Sequence, residues 1–532
     1  MVTLSPSDLL TDEQVRSFIV NGLIVIKPNL DKSIHDTIHS ELTYACQNET
    51  WHGNNLASRI PLFHQVLRSP KIDGALISLA GPNYYLHPHR ALHRSTPVEE
   101  ILQNLEPETD GPKMGAHSTA GSGWHQDAQS PLARARHHLP KYLIGFYFPH
   151  DTPRAMGPTR LIPGSQLDSS PNNIKDVFFP EFVEAGTFMI VHFDMVHAGY
   201  PNQTALDRHM VKFVFTRTEA PASPTWHCQD TAWKIPKNSL VSEDLTPAWL
   251  YTWNWLLGEH RPRNKDSHLF ETSEEAAASA SSNRIINIYS KKHSKSTKTI
   301  TNRLLEKKGL EKHQRTLVIN KDRKPLPIDD ISGYPIRWNE RAIVMEDEAY
   351  QLAAAGQDAI EPLMLLLSSL DPWLQINAAF ALGEINDYPK ETLFLLISLL
   401  DSPHQQVVRQ ALDALAFNTA QFDKASWEAV EHIIKKEKPE WQTPLVQRGW
   451  NGQDQIRLNA AFLLLNAATS SDPSPEIEDL MIHLLGDTNG YAAAVVSEGL
   501  IRLGSSISTA AAIEYLTDRR WDESIRGTGK AF

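Results

Sequence analysis

Cysteine is almost absent from this chain, since Cys46 and Cys228 are the only two among 532 residues. Two cysteines cannot form the disulfide framework that staples many secreted domains. The chain also lacks an apolar run of the ~20 residues needed to cross a bilayer. Its first residues lack the basic and apolar layout of a signal peptide. We therefore expect a cytoplasmic protein with no membrane span.

An excess of positive charge is lacking as well, because 63 Asp and Glu outnumber 51 Lys and Arg and give a net charge of −12. This balance argues against nucleic acid and anionic membranes as partners. Residues 284–324 depart from it, with 13 Lys and Arg against 3 Asp and Glu. We interpret this stretch as a solvated connector, and a contact with nucleic acid or a phosphorylated ligand is the alternative.

Two short segments with complementary chemistry stand in the first half of the chain. Trp124-His125-Gln126-Asp127 contains a His-x-Asp pair, and His197 follows 70 residues after Asp127. In a β-strand, residues i and i+2 project from the same face, so His125 and Asp127 can reach one ion while His197 joins from another strand. Two histidines and one carboxylate are typical of non-haem Fe(II) sites with open coordination positions. The spacing therefore predicts a metal site.

Two further features bear on the predicted metal site, an arginine downstream and a second His-x-Asp pair. Arg208 lies eleven residues after His197 and is predicted to hold the far carboxylate of an acidic co-substrate. A planar guanidinium binds a carboxylate through two parallel hydrogen bonds, which a lysine cannot do. The second His-x-Asp pair, His192 and Asp194, has no suitable partners downstream. We interpret it as a structural pair beside the site.

Four motifs between residues 9 and 258 resemble the phytanoyl-CoA dioxygenase family of Fe(II)/2-oxoglutarate oxygenases. They are a first helix and strand (10–26), a first metal motif (124–127), a central turn (157–165) and a last motif (197–208). The resemblance implies a double-stranded β-helix, which is a jelly-roll or cupin-like fold of two antiparallel sheets, with flanking helices.

The resemblance also implies the cofactors and the roles of the site residues. Fe(II) is the implied metal, with 2-oxoglutarate and O2 as co-substrates and succinate and CO2 as products. The implied metal ligands and catalytic residues are His125, Asp127 and His197, and the implied co-substrate residues are Arg208, Thr204 and Asn202. Asp127 favours hydroxylation, because related halogenases carry a small residue in place of this carboxylate.

Beyond residue 339 the pattern changes to helices rich in Ala and Leu. Corresponding positions of a recurring segment are occupied by Leu382, Leu415, Leu464 and Leu503, which are 33, 49 and 39 residues apart. Such recurrence is typical of HEAT-like helical hairpins. An ordinary helical domain with chance similarity is the alternative.

We therefore predict a multidomain chain with an Fe(II)/2-oxoglutarate oxygenase domain at 1–270, a low-complexity and basic linker at 271–338, and a HEAT-like solenoid at 339–532. The first domain is expected to fold without the helical one. Its predicted activity is hydroxylation of an unactivated C–H bond of a small organic molecule. The alternatives are a protein-modifying oxygenase that recruits a protein partner through the HEAT-like domain, a non-catalytic scaffold with a vestigial oxygenase domain, and a metal enzyme that does not use 2-oxoglutarate.

Overall fold

A computed structural model gives the architecture of the chain. The described residues are 4–49, 52–98, 117–118, 121–122, 124–127, 135–169, 175–259, 283–289, 297–309, 344–442, 451–470 and 472–517. We call the described residues up to 259 the sheet region and those from 344 to 517 the helical region. No helix in these described ranges is both long enough and apolar enough to span a bilayer.

The strands are β1 (Leu23–Ile26), β2 (Tyr85–Ser95), β3 (His117–Ser118), β4 (Gly121–Ser122), β5 (Tyr142–Tyr147), β6 (Thr152–Pro153), β7 (Arg160–Leu161), β8 (Phe182–Val183), β9 (Phe188–His192), β10 (His197–Ala198) and β11 (Arg208–Thr216). The helices of the sheet region are α1 (Asp12–Asn21), α2 (Lys32–Asn48), α3 (Leu56–Arg59), α4 (Phe63–Leu67), α5 (Pro70–Ala80) and α6 (Thr246–Leu256). Two short helices follow, α7 (Arg284–Tyr289) and α8 (Thr297–Glu306). The helical region comprises α9 (Asp347–Ala355), α10 (Ile360–Leu367), α11 (Pro372–Ile385), α12 (Lys390–Ser398), α13 (Gln405–Leu415), α14 (Lys424–Lys435), α15 (Gly452–Thr469), α16 (Glu476–Leu485), α17 (Gly490–Leu503) and α18 (Ser506–Thr517).

The main sheet has five antiparallel strands in the order β1-β9-β5-β11-β2. Strands β9 and β11 are rich in β-branched and aromatic residues and are buried along their whole length, as expected for inner strands covered on both faces. A short second sheet pairs β10 with β7, and isolated bridges extend it to His125 and Phe178. Leu161 of β7 packs in one apolar cluster with Ile144 and Phe146 of β5, so the two sheets share a core. The predicted two-sheet fold with flanking helices is confirmed.

Helix α1 shows why the chain turns where it does. Thr11 caps its first turn in a capping box with Gln14, which satisfies amides that have no partner within the helix. Gly22 ends the helix at a φ of 71°, a left-handed conformation that favours glycine. A Cβ atom at Gly22 would also meet the ends of the Gln166 and Met195 side chains, which would have to shift to make room.

The helical region is built from helical hairpins in two layers. Helices α11, α13, α15 and α17 contact one another in sequence and form the inner layer, and α10, α12, α14 and α16 form the outer layer. Gly383 permits a close approach of α11 and α13, since a Cβ there would lie 2.9 Å from Cα of Ala414. The helical C-terminal region is thus confirmed in the described residues, and its HEAT-like character stays a prediction.

The inner layer packs directly on the sheet region. Phe462 of α15 stacks on His87 of β2 with 5.5 Å between ring centroids. Tyr491 of α17 contacts His89, with 3.0 Å between the hydroxyl and Nδ1, and accepts a hydrogen bond from Asn54 at 2.7 Å. A single apolar cluster includes core residues of both regions. This continuity argues against the expectation that the first domain folds without the helical one.

The predicted linker lies only partly in the described ranges, because residues 271–282, 290–296 and 310–338 are outside them. Its described parts form α7 and α8, and Ile285, Ile286 and Ile288 of α7 are buried. Helix α7 contacts both α6 and α9. The residues of α7 therefore belong to the core, which corrects the interpretation of a solvated connector for this part of the stretch only.

Candidate metal centre

The three predicted metal ligands converge at one end of the short sheet. The backbones of His125 and His197 exchange two hydrogen bonds of 3.0 Å, which places their ring centroids 4.3 Å apart. Oδ1 of Asp127 lies 4.0 Å from Nε2 of His125, and its Oδ2 lies 3.7 Å from Nε2 of His197. One ligand atom from each residue lies within 4.8 Å of the other two. The expected placement of His125 and Asp127 on a regular strand is wrong, because His125 makes only an isolated bridge.

The protonation states of these residues suit a metal ion. Burial and then His125 lower the pKa of His197 to about 3. The Nδ1–H group of His197 donates to the carbonyl of Met195 at 2.9 Å, which leaves Nε2 as the atom with a free lone pair. Burial raises the pKa of Asp127, but Lys212 and the two histidines outweigh it and hold that pKa well below its usual range. At neutral pH the site therefore offers a carboxylate and a neutral imidazole.

Lys212 is a site residue that the sequence analysis missed. Its Nζ donates to Oδ2 of Asp127 at 2.7 Å, and its side chain is only 8% exposed. It follows Arg208 by four residues on β11, so both project from the same face of the strand. His93 of β2 lies close enough to interact electrostatically with both. Strand alternation from Arg208 was the signal that could have identified Lys212.

Arg208 is buried and incompletely paired. It is 5% exposed, and its Nε and Nη1 have no hydrogen-bond partner among the described residues. Burial lowers its pKa to about 10, so the guanidinium is still charged at neutral pH. A buried cation without partners is strongly unfavourable. Its presence on the same strand face as Lys212 therefore indicates a place for an anionic ligand beside the three ligand residues.

The described contacts of Asn202 and Thr204 lie around the turn before Arg208. The Asn202 amide donates to the carbonyls of Ser95 and Leu206 and accepts from the amide and the hydroxyl of Thr204, at 2.6–3.1 Å. These four bonds use the whole hydrogen-bonding capacity of an asparagine side chain. The two residues hold the turn that leads into Arg208, and their described hydrogen bonds leave no group directed to a co-substrate.

A buried brace fixes the segment that carries His125 and Asp127. Gln126 lies between them and donates to the carbonyl of Asp194 at 2.7 Å. Arg136 in turn donates to Oε1 of Gln126, and its own carbonyl accepts from the hydroxyl of Tyr350 in α9 at 2.7 Å. Nothing local in the sequence signals this chain of contacts. It joins the candidate site to the helical region.

The competing pair, His192 and Asp194, is structural in its contacts. Nδ1 of His192 accepts from the backbone amide of Asp194 at 3.2 Å, and both residues are buried. Burial lowers the pKa of His192 to about 4 and raises that of Asp194 to about 6. Neither belongs to a group of converging metal-binding side chains within the described ranges.

Comparison with known proteins agrees with the sequence resemblance. Residues 22–210 match the model of the family described as phytanoyl-CoA dioxygenase (PhyH). No curated protein gives a match.

Many solved structures are similar to this chain, and three of them are as follows. The non-heme alpha-ketoglutarate-dependent carbocyclase SnoK from nogalamycin biosynthesis is 17% identical, with a TM-score of 0.30, over 41% of this chain and 88% of that one. The non-heme monooxygenase ThoJ, in a nickel complex, is 18% identical, with a TM-score of 0.29, over 43% and 91%. HygX from Streptomyces hygroscopicus, with iron bound, is 15% identical, with a TM-score of 0.30, over 40% and 88%.

Proposed function

We propose, from the match of residues 22–210 to the PhyH family, that this chain is an Fe(II)/2-oxoglutarate-dependent dioxygenase. We further propose that it hydroxylates an unactivated C–H bond of a small organic molecule. The observation that carries the proposal is the incompletely paired, buried guanidinium of Arg208 beside the convergent His125, Asp127 and His197. Bound iron would supply O2 activation coupled to decarboxylation of 2-oxoglutarate to succinate and CO2.

The donor set fits Fe(II). Two imidazoles and one carboxylate occupy one face of an octahedral ion and leave the other face open for a chelating co-substrate and O2. His197 meets this requirement because its Nδ1–H is tied to Met195 and only Nε2 is free. Lys212 orients the Asp127 carboxylate through Oδ2, and outer contacts of this kind fix ligand geometry.

The guanidinium of Arg208 fits the distal carboxylate of 2-oxoglutarate. Its Nε and Nη1 groups are both without partners among the described residues, and either of them together with Nη2 can donate two parallel hydrogen bonds to the two oxygens of a carboxylate. Asn202 and Thr204 hold the turn before Arg208 and so contribute to its position. The presence of Asp127 supports hydroxylation instead of halogenation, because its carboxylate occupies the place that a halide would need.

The alternatives fit the contacts less well. A vestigial scaffold would have no reason to keep a buried, incompletely paired arginine near the three ligand residues. A metal enzyme without 2-oxoglutarate leaves the same arginine unexplained. Recruitment of a protein substrate through HEAT-like repeats would need a free helical surface, and the inner layer, through Phe462 and Tyr491, is occupied by the sheet region. Only the outer layer would be left for a protein partner.

The proposal is tested by succinate formation from 2-oxoglutarate with Fe(II) and O2, in the presence of fractionated cell extract. We expect iron- and oxygen-dependent succinate in wild-type protein and none above background in His125→Ala. Product masses then identify the reaction, because hydroxylation adds one oxygen, epimerisation leaves the mass unchanged and ring closure removes two hydrogens. Equal succinate formation by wild type and His125→Ala would refute the proposed function.

A further inference from the structure

A second group of metal-binding side chains lies on the other face of β11. It consists of His39 in α2, His150 just after β5, and His209 in β11. One nitrogen of each ring lies within 4.8 Å of one nitrogen of each of the others. His209 directly follows Arg208, and neighbouring strand residues project from opposite faces. The three histidines are therefore separated from the candidate iron site by the main sheet.

The distances within this cluster suit a tetrahedral ion. Nδ1 of His39 and Nδ1 of His209 are 3.4 Å apart. Two nitrogens bound at normal zinc–nitrogen distances to one tetrahedral ion stand about 3.3 Å apart. The ring centroids of His39 and His150 are 4.2 Å apart, and those of His150 and His209 are 6.0 Å apart. The three rings thus surround a common point without forming a continuous stack.

His150 is oriented in the way that metal-bound histidines commonly are. Its Nδ1–H donates to the backbone carbonyl of Asp151 at 2.9 Å, which fixes the tautomer with the lone pair on Nε2. His197 in the candidate iron site shows the same arrangement with Met195. Nε2 of His150 accepts the backbone amide of His209 at 3.0 Å. Ion binding would therefore have to displace this backbone amide from Nε2.

The two ring nitrogens of His209 have different surroundings. Nδ1 faces Nδ1 of His39, so a shared ion would be held through Nδ1. The buried Nε2, which has no hydrogen-bond partner among the described residues, would then carry the proton. His39 and His150 are half-buried, so an ion can reach the cluster from solvent.

We propose that His39, His150 and His209 bind a divalent transition-metal ion of the zinc class. An all-imidazole set suits zinc, nickel or copper and does not suit magnesium or calcium, which require oxygen ligands. Three protein ligands leave the fourth position to water. The ion would tie α2 to β11 beside Arg208, so its role is to hold that end of the sheet, apart from the oxygenase reaction.

The test is zinc stoichiometry in the full-length protein. Chelator-treated protein is equilibrated with Zn²⁺ alone, desalted, and analysed for bound metal. We expect two zinc ions per wild-type chain, because zinc can also occupy the predicted iron site. His39→Ala and His125→Ala should each hold one ion, and the double variant none. The matched control is His432→Ala, a change of an exposed histidine in α14 outside both clusters, which should still hold two ions.

The design separates this proposal from the proposed function. One ion in wild type and none in His39→Ala would support the three-histidine site and count against the predicted iron site. One ion in both wild type and His39→Ala, or two ions in both proteins, would overturn the three-histidine site. If His39→Ala does not fold by circular dichroism, His150→Gln replaces it, because glutamine keeps a polar side chain on a half-buried loop. Retention of both ions by His150→Gln would likewise overturn the proposal.

Discussion

Glu384 of α11 is a buried carboxylate that links the helical region to the sheet region. Its removal should lower the stability of both regions together. It lies 2.7 Å from Nδ1 of His137 and 2.7 Å from Nζ of Lys141, and its side chain is 3% exposed. A second carboxylate, Asp413 of α13, lies 3.2 Å from Nε2 of His137. Glu384→Ala would leave Lys141 buried without its counter-ion. We therefore expect this single change to weaken the whole interface.

The size of the effect follows from the charge network. Burial raises the pKa of Glu384, but Lys141 and His137 outweigh it and bring it from an ordinary 4.5 to about 2. A shift of this size corresponds to about 3 kcal/mol of differential stabilisation. Breaking a buried ion pair by removing one partner costs roughly 3–5 kcal/mol. We expect a loss in the free energy of unfolding of this order for Glu384→Ala, and a smaller loss for Glu384→Gln, which keeps an acceptor oxygen.

The pH dependence has a defined sign. The folded pKa of Glu384 lies below its unfolded value, so its stabilisation is complete above about pH 4.5 and is lost as the pH falls toward 2. Burial and Lys141 lower the pKa of His137, but Glu384 and Asp413 outweigh them and raise it above 6.5. Its stabilisation is complete below about pH 6.5 and is lost as the pH rises through the folded pKa. The difference in the free energy of unfolding between wild type and Glu384→Gln should therefore be largest at about pH 5–6.

The assay is urea unfolding of the full-length protein, followed by tryptophan fluorescence and by circular dichroism at several pH values. Wild type should unfold in one transition that both probes report at the same urea concentration. Glu391→Gln in α12 is the matched control, because this carboxylate is exposed and its loss should change stability by no more than about 0.5 kcal/mol. The reasoning is refuted if Glu384→Ala is as stable as Glu391→Gln, or if wild type unfolds in two separate steps.

Three further predictions concern the candidate iron site. Arg208→Lys should raise the KM for 2-oxoglutarate about 10-fold or more, equivalent to ~1.4 kcal/mol, because the paired donors are lost; steady-state kinetics decide it, and an unchanged KM would assign the distal carboxylate to another residue. His125→Ala should abolish iron binding while His192→Ala keeps it, since only His125 belongs to the convergent group. Iron analysis of both variants checks this prediction. Loss of iron in His192→Ala would reverse the assignment of the two His-x-Asp pairs. Asn202→Ala removes four hydrogen bonds of a fully buried amide and should cost roughly 1–3 kcal/mol. Asn202→Ala should also raise the KM for 2-oxoglutarate, by less than Arg208→Lys does. Thermal unfolding and steady-state kinetics of the variant test these two effects. Unchanged stability would show that the turn is held by other contacts.

The predictable part of the site is the part written in short linear motifs. His125 and Asp127 stand in one tetrapeptide, and His197 and Arg208 fall within one twelve-residue segment. Spacing and side-chain chemistry therefore sufficed to identify these four residues, two of which are among the 23 histidines of the chain. Lys212 was within reach of the same reasoning, because strand alternation places it on the face of Arg208. The assignment of Thr204 to the co-substrate stays a prediction, and its hydroxyl is hydrogen-bonded within the turn before Arg208.

Other features depend on packing that no local pattern specifies. His39, His150 and His209 come from a helix, a loop and a strand, and only tertiary packing brings them together. Charge counts over residues 284–324 pointed to a solvated connector, but Ile285 and its apolar neighbours in α7 are buried. A count over a long window averages a six-residue buried helix with its surroundings. Shorter windows would have separated the two.

The contacts of the helical region favour a supporting role over a recruiting one. Its inner layer supplies Glu384 to a buried charge network, and α9 supplies Tyr350 to the carbonyl of Arg136. Arg136 holds Gln126, which lies between two predicted iron ligands. A surface used in this way is not free to bind a partner, and its loss would expose buried charges as well as apolar residues. The helices are therefore better understood as part of the framework that positions residues 125–127, whether or not they prove to be HEAT-like repeats.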